Sequence, residues 1–474
     1  MRNYILLLSI FGLFSCEPAK EKQVAKKQPN IIFIMADDLG YADVGPYGQK
    51  LIKTPNIDQL AKDGMTFTQF YAGTSVCAPS RAVLMTGLHT GHVEIRGNKQ
   101  NGFANGQHPL SAGTITVGGL LQEAGYHTGM IGKWGLGNPG TEGDPLNHGF
   151  DHFFGYSDQV LAHNYYPEYL WRNGDKIYLD NQVHYLDTAQ WHDGLGSYSV
   201  VKNEYSHDLF MNETLTYIND NKEKPFFLYL PFTIPHDNGE QADTMRFEVP
   251  TQGQYATEDW TKNAKDYAAM VSRLDKGVGE IVAELKKLKL EKNTLLIFTS
   301  DNGPMKNRQA TSFFDSNGPL RGGKRDLYEG GMREPFIAYW PGKVKAGSSS
   351  DFIGAFWDML PTFTELAGQP YKGDIDGISI VPTLLGSSKQ EQHDYLYWEF
   401  HEGTGSQAIR QGKWKAVRVN AKTEPGNPLE LYDLSADIGE QVNIVDQFPG
   451  KVQELDSLIT ASRTHSDLFP FTAN

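Results

Sequence analysis

The sequence predicts an α/β fold: a large, mainly parallel sheet flanked by helices, followed by a smaller C-terminal antiparallel sheet and a helix. Two observations support this prediction. Short apolar runs typical of buried strands recur along the first 386 residues, with helical stretches between them. After about residue 386, short strand-like segments follow one another and are separated only by polar turns.

The first strand is predicted at residues 31–35 (IIFIM), and similar apolar runs follow at residues 225–230, 294–299 and 335–340. The clearest helix spans residues 266–290, where apolar side chains recur at spacings of three and four. Helices between strands favour parallel pairing, because a parallel connection has to cross the sheet. In such sheets, binding and catalytic groups lie beyond the carboxyl ends of the strands.

The second sheet is predicted from four short segments and a final helix, at residues 395–400, 407–410, 414–419, 429–434 and 449–462. The change in pattern predicts a boundary near residue 386. We therefore expect a main domain over residues 30–386 and a C-terminal subdomain over residues 387–474 that packs against it.

The N-terminal residues 1–15 combine an early arginine, a short apolar run and small residues, as secretory signals do. Leu-Phe-Ser-Cys at their end resembles a bacterial lipoprotein box. We expect residues 1–15 to be a lipoprotein signal peptide, Cys16 to carry lipid, and residues 16–29 to form a tether. This predicts an exported protein, in the periplasm or at the outer membrane, whose only membrane attachment is that lipid. A plain signal peptide with an incidental cysteine is the alternative.

The charge of the chain limits its partners. It has 43 Lys and Arg against 57 Asp and Glu, a formal net charge of −14. We expect no nucleic-acid partner, because such acidity repels a polyanion. Any anionic ligand must therefore be bound by a local cluster of cations.

Cys77 is one of only two cysteines, and if Cys16 carries lipid it has no partner thiol. A leftover cysteine in an exported protein indicates a reactive residue. Pro79 suits the first turn of a helix, so Cys77 is expected just before a helix N-terminus, where free N–H groups favour an anion. Arg81, one turn on, can reach back toward residue 77. A buried structural cysteine is the alternative.

Paired oxygen-bearing side chains follow two of the predicted strands. Asp37 and Asp38 follow the first, and Asp301 and Asn302 follow the run at residues 294–299. Oxygen donors from two strand ends suit a hard cation such as calcium or magnesium. A single such pair is more often a turn or a helix cap.

Three further residues are each weak evidence of a functional site when taken alone. Lys133 lies in Gly-Lys-Trp-Gly-Leu-Gly, His236 in Pro-His, and Lys324 in Gly-Gly-Lys-Arg. Most lysines are solvated, and most histidines are structural.

Together these motifs resemble the type I, formylglycine-dependent sulfatases, a family of the alkaline-phosphatase-like superfamily. Cys-Ala-Pro-Ser-Arg followed by Leu-Met-Thr-Gly is similar to the family signature, and the other blocks occur in the same order. The resemblance runs from about residue 30 to about residue 443. Within the family, the sequence most resembles the arylsulfatase-like carbohydrate sulfatases of Bacteroidetes. The resemblance implies that residues 30–386 are the sulfatase catalytic domain.

The resemblance implies a complete catalytic set. A maturation enzyme would oxidise Cys77 to formylglycine, whose hydrate attacks sulfur with one hydroxyl and expels sulfate with the other. Lys133 and Lys324 would bind sulfate oxygens, and His236 would protonate the leaving alcohol. One calcium ion would be held by Asp37, Asp38, Cys77, Asp301 and Asn302.

The sequence departs from the family pattern in two places: residue 135 is glycine where the family has a histidine, and Asp437 is followed by Ile438 where the family has a proline. In the family that histidine contacts the formylglycine, so another base is expected to replace it. The candidates are His163, which we prefer because its aromatic segment is typical of a substrate loop, and His148.

The substrate is expected to be a sulfated carbohydrate, such as a sulfated galactose or another hexose. Aromatic residues that could stack on sugars, and polar ones that could line the pocket, are Tyr165, Tyr166, Trp171, Trp398, Asn98, His401 and Glu402. Two other functions stay open. A phosphatase or phosphodiesterase of the same superfamily would mostly use Ser or Thr with two zinc ions. An inactive tethered glycan-binding relative would not need Cys77, Arg81, Lys133 and Lys324 together.

Overall fold

The computed structural model describes residues 28–98, 107–186, 196–424 and 426–471. The predicted signal peptide, the lipid site at Cys16 and the tether up to residue 27 lie outside these ranges. Within them, no helix is long and apolar enough to cross a membrane.

The strands are β1 Asn30–Ala36, β2 Met65–Phe67, β3 Phe70–Tyr71, β4 His127–Lys133, β5 His152–Tyr156, β6 Tyr169–Arg172, β7 Asp175–Tyr178, β8 Asn181–Tyr185, β9 Ser197–Lys202, β10 Phe226–Pro231, β11 Thr294–Ser300, β12 Phe336–Tyr339, β13 Ser348–Ser350, β14 Gly354–Ala355, β15 Leu396–Phe400, β16 Ser406–Gln411, β17 Trp414–Val419 and β18 Glu430–Asp433. The α-helices are α1 Pro55–Asp63, α2 Cys77–Thr86, α3 Val117–Glu123, α4 Ser206–Asp220, α5 Lys262–Lys287, α6 Gln309–Phe313, α7 Glu329–Met332, α8 Met359–Leu366, α9 Val381–Leu384 and α10 Pro449–Ala461.

The predicted fold class is confirmed. A sheet of 10 strands has the order β13-β2-β12-β11-β1-β10-β4-β5-β6-β7. Its five central strands, β11 to β5 in that order, pair in parallel, whereas β12, β6 and β7 pair antiparallel at the margins. The run predicted at residues 335–340 is therefore the antiparallel strand β12. Outside the five central strands, the edge pair of β13 and β2 is also parallel.

Strand β1 is buried on both faces, which explains its uninterrupted apolar sequence. Ile31, Phe33 and Met35 pack into the hydrophobic core on one side of the sheet. Ile32 and Ile34 pack into the core on the other side, together with the long helix α5. The sheet is thus the middle layer, with helices covering both faces.

The parallel strands end at the same edge of the sheet. Ala36 at the end of β1 is paired with Ser300 at the end of β11, and Met35 is paired with Pro231 of β10. The residues that follow each strand therefore emerge side by side. This edge is where the sequence predicts the functional groups.

The C-terminal strands β15 to β18 form a separate antiparallel sheet of four strands. One face contributes Trp398, Ala408 and Val417 to the core of the main sheet. The other face packs against Leu455 and Ile459 of α10. The small sheet therefore shares a continuous core with the large one.

Candidate active site

Three carboxylates converge where β1 and β11 end. Asp37, Asp38 and Asp301 are each at most 3% exposed. Asp38 adopts a left-handed backbone, with φ of 62°, and its N–H donates to Asp301 Oδ1 at 3.2 Å. Left-handed backbone is unfavourable for most residues but tolerated by Asp, so this turn fixes the direction of the Asp38 side chain.

Helix α2 brings Cys77 to these acids. The helix starts at Cys77 itself, whereas the sequence predicts a start just after it. Ser80 Oγ donates to the Asp301 carbonyl at 2.6 Å and accepts from the Gly73 N–H at 3.1 Å. These bonds fasten the first turn to the end of β11. The Cys77 thiol then donates to Asp37 Oδ1 at 3.4 Å.

Arg81 and Lys133 compensate the charge of two of the acids. Arg81 Nη2 lies 2.7 Å from Asp301 Oδ2 and 3.5 Å from Asp37 Oδ2. Lys133 Nζ lies 2.7 Å from Asp37 Oδ2. Arg81 is thus directed mainly at these carboxylates, although the sequence predicts that it turns toward residue 77.

Lys324 compensates the third acid and connects it to His236. Its ammonium donates to Asp38 Oδ2 at 2.8 Å and lies 2.8 Å from His236 Nε2. Asp38, Lys324 and His236 are all nearly or fully buried. Three buried carboxylates are thus matched by three buried cations, which such a cluster needs to remain folded.

The environment sets the protonation of Cys77 and Asp37. Burial, reinforced by the charge of Asp37, raises the pKa of the Cys77 thiol far above its usual range. Burial alone would raise the pKa of Asp37, but Lys133 and its neighbours hold it well below its usual range. Cys77 is therefore a neutral thiol beside a carboxylate, and a neutral thiol is a poor nucleophile.

His236 is neutral in this arrangement. Burial and the charge of Lys324 hold its pKa well below the usual range. Nδ1 donates to the Asp237 carbonyl at 2.6 Å, so Nε2 is the nitrogen that accepts from Lys324. The proton nearest to Nε2 is thus carried by Lys324.

The donor set fits a hard cation. Ligand atoms of Asp37, Asp38, Cys77 and His236 all lie within 4.8 Å of one another. Asn302 Nδ2 donates to Asp38 Oδ1 at 2.7 Å, and its buried Oδ1 has no partner among the described residues. An orphaned amide oxygen beside two carboxylates is suited to calcium or magnesium. Because His236 Nε2 is occupied by its contact with Lys324, the atoms left to bind a cation are mainly oxygens.

His163 lies beside His236. The two rings stack with centroids 4.6 Å apart and planes 14° apart, and His163 Nδ1 is 3.1 Å from Glu240 Oε1. His148 instead bonds the Glu142 carbonyl at 3.0 Å. Of the two predicted substitutes for the missing base, His163 is thus the one that contacts the site. Its role as a base stays a prediction.

The space next to Gly135 is filled by Gln159. Gly135 has φ of 75°, and a β-carbon there would lie 1.9 Å from Gln159 Nε2. Gln159 itself comes from the segment that follows β5, the strand paired with β4. A side chain at position 135 would therefore have to displace the side chain of Gln159.

Most of the proposed sugar-stacking aromatics are core residues. Tyr165, Tyr166 and Trp398 are at most 5% exposed, so they offer no face to a ligand. His401 is also buried and bonds Glu399 at 2.7 Å. Trp171 is partly exposed, at the antiparallel margin of the large sheet.

Two of the predicted pocket residues do adjoin the site. Asn98 Oδ1 accepts from the Ala78 N–H at 2.9 Å, and Glu402 Oε1 accepts from the Asn98 N–H at 3.4 Å. Three charged residues nearby were not predicted from the sequence. Arg325 pairs with Glu402, Arg308 lies 2.8 Å from Asp237, the neighbour of His236, and Glu240 pairs with His163. Arg325 and Glu240 lie one and four positions after Lys324 and His236, which is their only sequence signal. Arg308 is distant from both along the chain and has no such signal.

The chain is similar to several known proteins. The sulfatase family profile matches residues 29–369, and the profile of the C-terminal region of N-sulphoglucosamine sulphohydrolase matches residues 322–462. Human arylsulfatase A is 33% identical over 467 residues, which cover 90% of this chain and 86% of that protein. N-acetylgalactosamine-6-O-sulfatase from Bacteroides thetaiotaomicron is 32% identical over 526 residues, covering 97% and 98%.

Solved structures share the architecture. The crystal structure of Ps i-CgsB in complex with k-i-k-neocarrahexaose has a TM-score of 0.76 and 29% identity, covering 92% of this chain and 93% of that one. Phosphonate monoester hydrolase of Agrobacterium radiobacter has a TM-score of 0.62 at 20% identity, covering 92% and 95%. The second likeness concerns the fold alone, so the architecture by itself does not select the chemistry.

We predict that Gly135→Ala destabilises the protein more than Gly140→Ala. Both glycines have positive φ, so each substitution costs about 1–2 kcal/mol of backbone strain. Gly140, with φ of 82°, has nothing within 4 Å of its β-carbon position, whereas Gly135 adds the clash with Gln159. The measurement is the free energy of unfolding in urea. Adding Gln159→Ala should remove the excess loss; equal losses in the two single variants would contradict the packing described.

Proposed function

The chain belongs to the sulfatase family, and on that premise we propose that it hydrolyses sulfate esters of a carbohydrate with a nucleophile made from Cys77. The observation that supports this most is the juxtaposition of Cys77, Lys133 and Lys324 around Asp37 and Asp38. A sulfate group needs donors for its oxygens, a nucleophile in line with sulfur and an acid for the leaving oxygen.

Lys133 and Lys324 are placed to bind sulfate oxygens. Each ammonium has three N–H donors. Lys133 uses one on Asp37, and Lys324 uses one on Asp38 and one on His236, so each keeps at least one donor for a ligand. Because both are already paired with Asp37 and Asp38, they orient an anion without presenting unbalanced charge. Substrate binding would draw these donors toward the sulfate.

His236 and Lys324 together are suited to protonate the leaving alcohol. An alkoxide is a poor leaving group, so the reaction needs a proton at the bridging oxygen. The ammonium charge of Lys324, 2.8 Å from His236 Nε2, is one cause of the low pKa of His236. His236 would take up a proton for the leaving oxygen once a bound sulfate draws that charge away. The Asp237 carbonyl holds the ring with Nε2 facing the site.

The unmodified thiol of Cys77 does not suit this reaction, since burial keeps it neutral. We propose that a maturation enzyme converts it to formylglycine. The hydrated aldehyde supplies one hydroxyl to attack sulfur and a second whose deprotonation expels sulfate. Asp37, within 3.4 Å of the sulfur atom, is the nearest acceptor for a proton from residue 77.

We further propose that the site holds one calcium ion. Asp37, Asp38, Asp301, Asn302 and residue 77 would be its ligands, and the orphaned Asn302 Oδ1 is the feature that most favours a cation here. The ion would supply positive charge that lowers the pKa of the attacking hydroxyl.

The substrate class follows from the relatives. An N-acetylgalactosamine-6-O-sulfatase is among them, and a related structure holds a neocarrahexaose. We propose a sulfated hexose, such as a sulfated galactose or galactosamine, as the substrate. Export as a lipoprotein through residues 1–15 and Cys16 would place the enzyme where extracellular polysaccharides are degraded.

We predict formylglycine at position 77 after co-expression with a formylglycine-generating enzyme. Mass spectrometry should find the peptide with Cys77 lighter than its thiol form. Cys77→Ala should abolish sulfate release, because no other described residue offers the same nucleophile beside Asp37. Cys16→Ala is the matched control and should retain activity. Wild-type rates from Cys77→Ala would exclude the mechanism.

We predict that chelation abolishes activity and that calcium restores it. Asn302→Ala should raise the calcium concentration needed for half-maximal recovery by about tenfold or more, because it removes an oxygen ligand. Asn307→Gly is the control: Asn307 is exposed, and its φ of 61° suits glycine. Recovery with zinc but not with calcium would instead support a phosphatase of the same superfamily.

A further inference from the structure

Arg325, which directly follows Lys324, has an unusual backbone conformation. Its φ is 74°, in the left-handed region that most residues avoid. The N–H of Lys324 donates to the Pro304 carbonyl and that of Arg325 to the Ser75 carbonyl, both at 2.9 Å. These bonds hold the two residues so that the Lys324 side chain is buried in the site while that of Arg325 is 48% exposed.

The Arg325 guanidinium is only partly engaged. Its Nε donates to Glu402 Oε2 at 3.2 Å, and Nη1 lies 3.9 Å from the sulfur of Met305, a weak acceptor. No described residue accepts a hydrogen bond from Nη2. The outer edge of the guanidinium is therefore open to a ligand, and this edge has the geometry that binds a carboxylate or sulfate with two parallel bonds.

Glu402 connects this guanidinium to the start of α2. Its other oxygen, Oε1, accepts from the Asn98 N–H at 3.4 Å, and Asn98 Oδ1 accepts from the Ala78 N–H at 2.9 Å. Ala78 is the neighbour of Cys77. Arg325 is thus held at the rim of the site, on the side of the nucleophile, by contacts that also support the first turn of α2.

We infer that Arg325 binds a second anionic group on the substrate, so that the enzyme prefers a sugar bearing another sulfate or a carboxylate near the sulfate that is removed. This inference rests on the proposed function. Lys324 binds the reacting sulfate from inside, and Arg325, the next residue, is fixed to face outward at the mouth of the same site. The strained backbone is explained if both cations have to serve one polyanionic ligand.

The test compares matched sugars: one with a single sulfate, the same sugar with a second sulfate, and a disaccharide in which a uronic acid adjoins the sulfated residue. We expect the wild-type enzyme to prefer one of the doubly charged sugars in kcat/KM, and the two doubly charged compounds identify which anion is bound. Arg325→Ala should reduce that preference by about tenfold or more, the loss expected for a charged hydrogen-bonded pair.

Lys413→Ala is the matched control. Lys413 is 50% exposed and paired with one carboxylate, Asp433 at 2.6 Å, in the turn between β16 and β17. It should leave the preference unchanged. If Arg325→Ala lowers kcat/KM for all the sugars by the same factor, or if the wild type shows no preference, the subsite is excluded while sulfate hydrolysis stands.

Affinity for the Cys77→Ala protein, measured by calorimetry, separates the two proposals. Binding that favours a doubly charged sugar and requires Arg325, with no turnover by the matured wild type, would exclude sulfate hydrolysis and keep the subsite. If neither binding nor turnover depends on the second anionic group, the inference is wrong.

Discussion

The site depends on mutual compensation of buried charge at the carboxyl edge of the central sheet. The negative charges of Asp37, Asp38 and Asp301 would repel one another if they were not compensated. Arg81, Lys133 and Lys324 compensate them, with nitrogen atoms 2.7 to 2.8 Å from the carboxylate oxygens. Removing one partner of a buried pair costs about 3–5 kcal/mol, because the other charge is left uncompensated. Each of these residues thus stabilises the fold as well as the site.

This constraint explains why the elements around it are so closely tied together. Helix α2 is entirely buried, and its Ser80 bonds the carbonyl of the same Asp301 whose side chain pairs with Arg81. Lys133 is the last residue of strand β4, and Lys324 lies in the loop before α7. Elements far apart in sequence therefore meet at one set of carboxylates, and a shift of any of them would leave a charge unpaired.

Much of this could be predicted from the sequence. The apolar runs place strands β1 and β11, and their parallel pairing brings Asp37 and Asp301 together without further information. The family profile confirms the resemblance based on Cys77 and its neighbours. These predictions succeed because strand ends and contiguous motifs are local features.

The rest depends on contacts that a single sequence does not encode locally. Gln159, which fills the space at Gly135, is 24 residues away from it along the chain. Glu240, which contacts His163, is 77 residues away from it. As a tyrosine, Tyr165 could stack on a sugar ring. It is buried, however, and its hydroxyl donates to the His236 carbonyl. Residue type alone does not distinguish a core aromatic from a ligand-binding one.

The most direct test of the account is the ratio of kcat/KM for a sulfate ester to that for the phosphate ester of the same sugar, measured on the matured enzyme with calcium. Lys133 and Lys324 are already paired with carboxylates, so they offer hydrogen-bond donors and add no positive charge beyond that of the calcium ion. The site should therefore favour a singly charged sulfate. The account predicts faster cleavage of the sulfate ester. Faster cleavage of the phosphate ester would contradict it and would assign the same fold to a phosphatase.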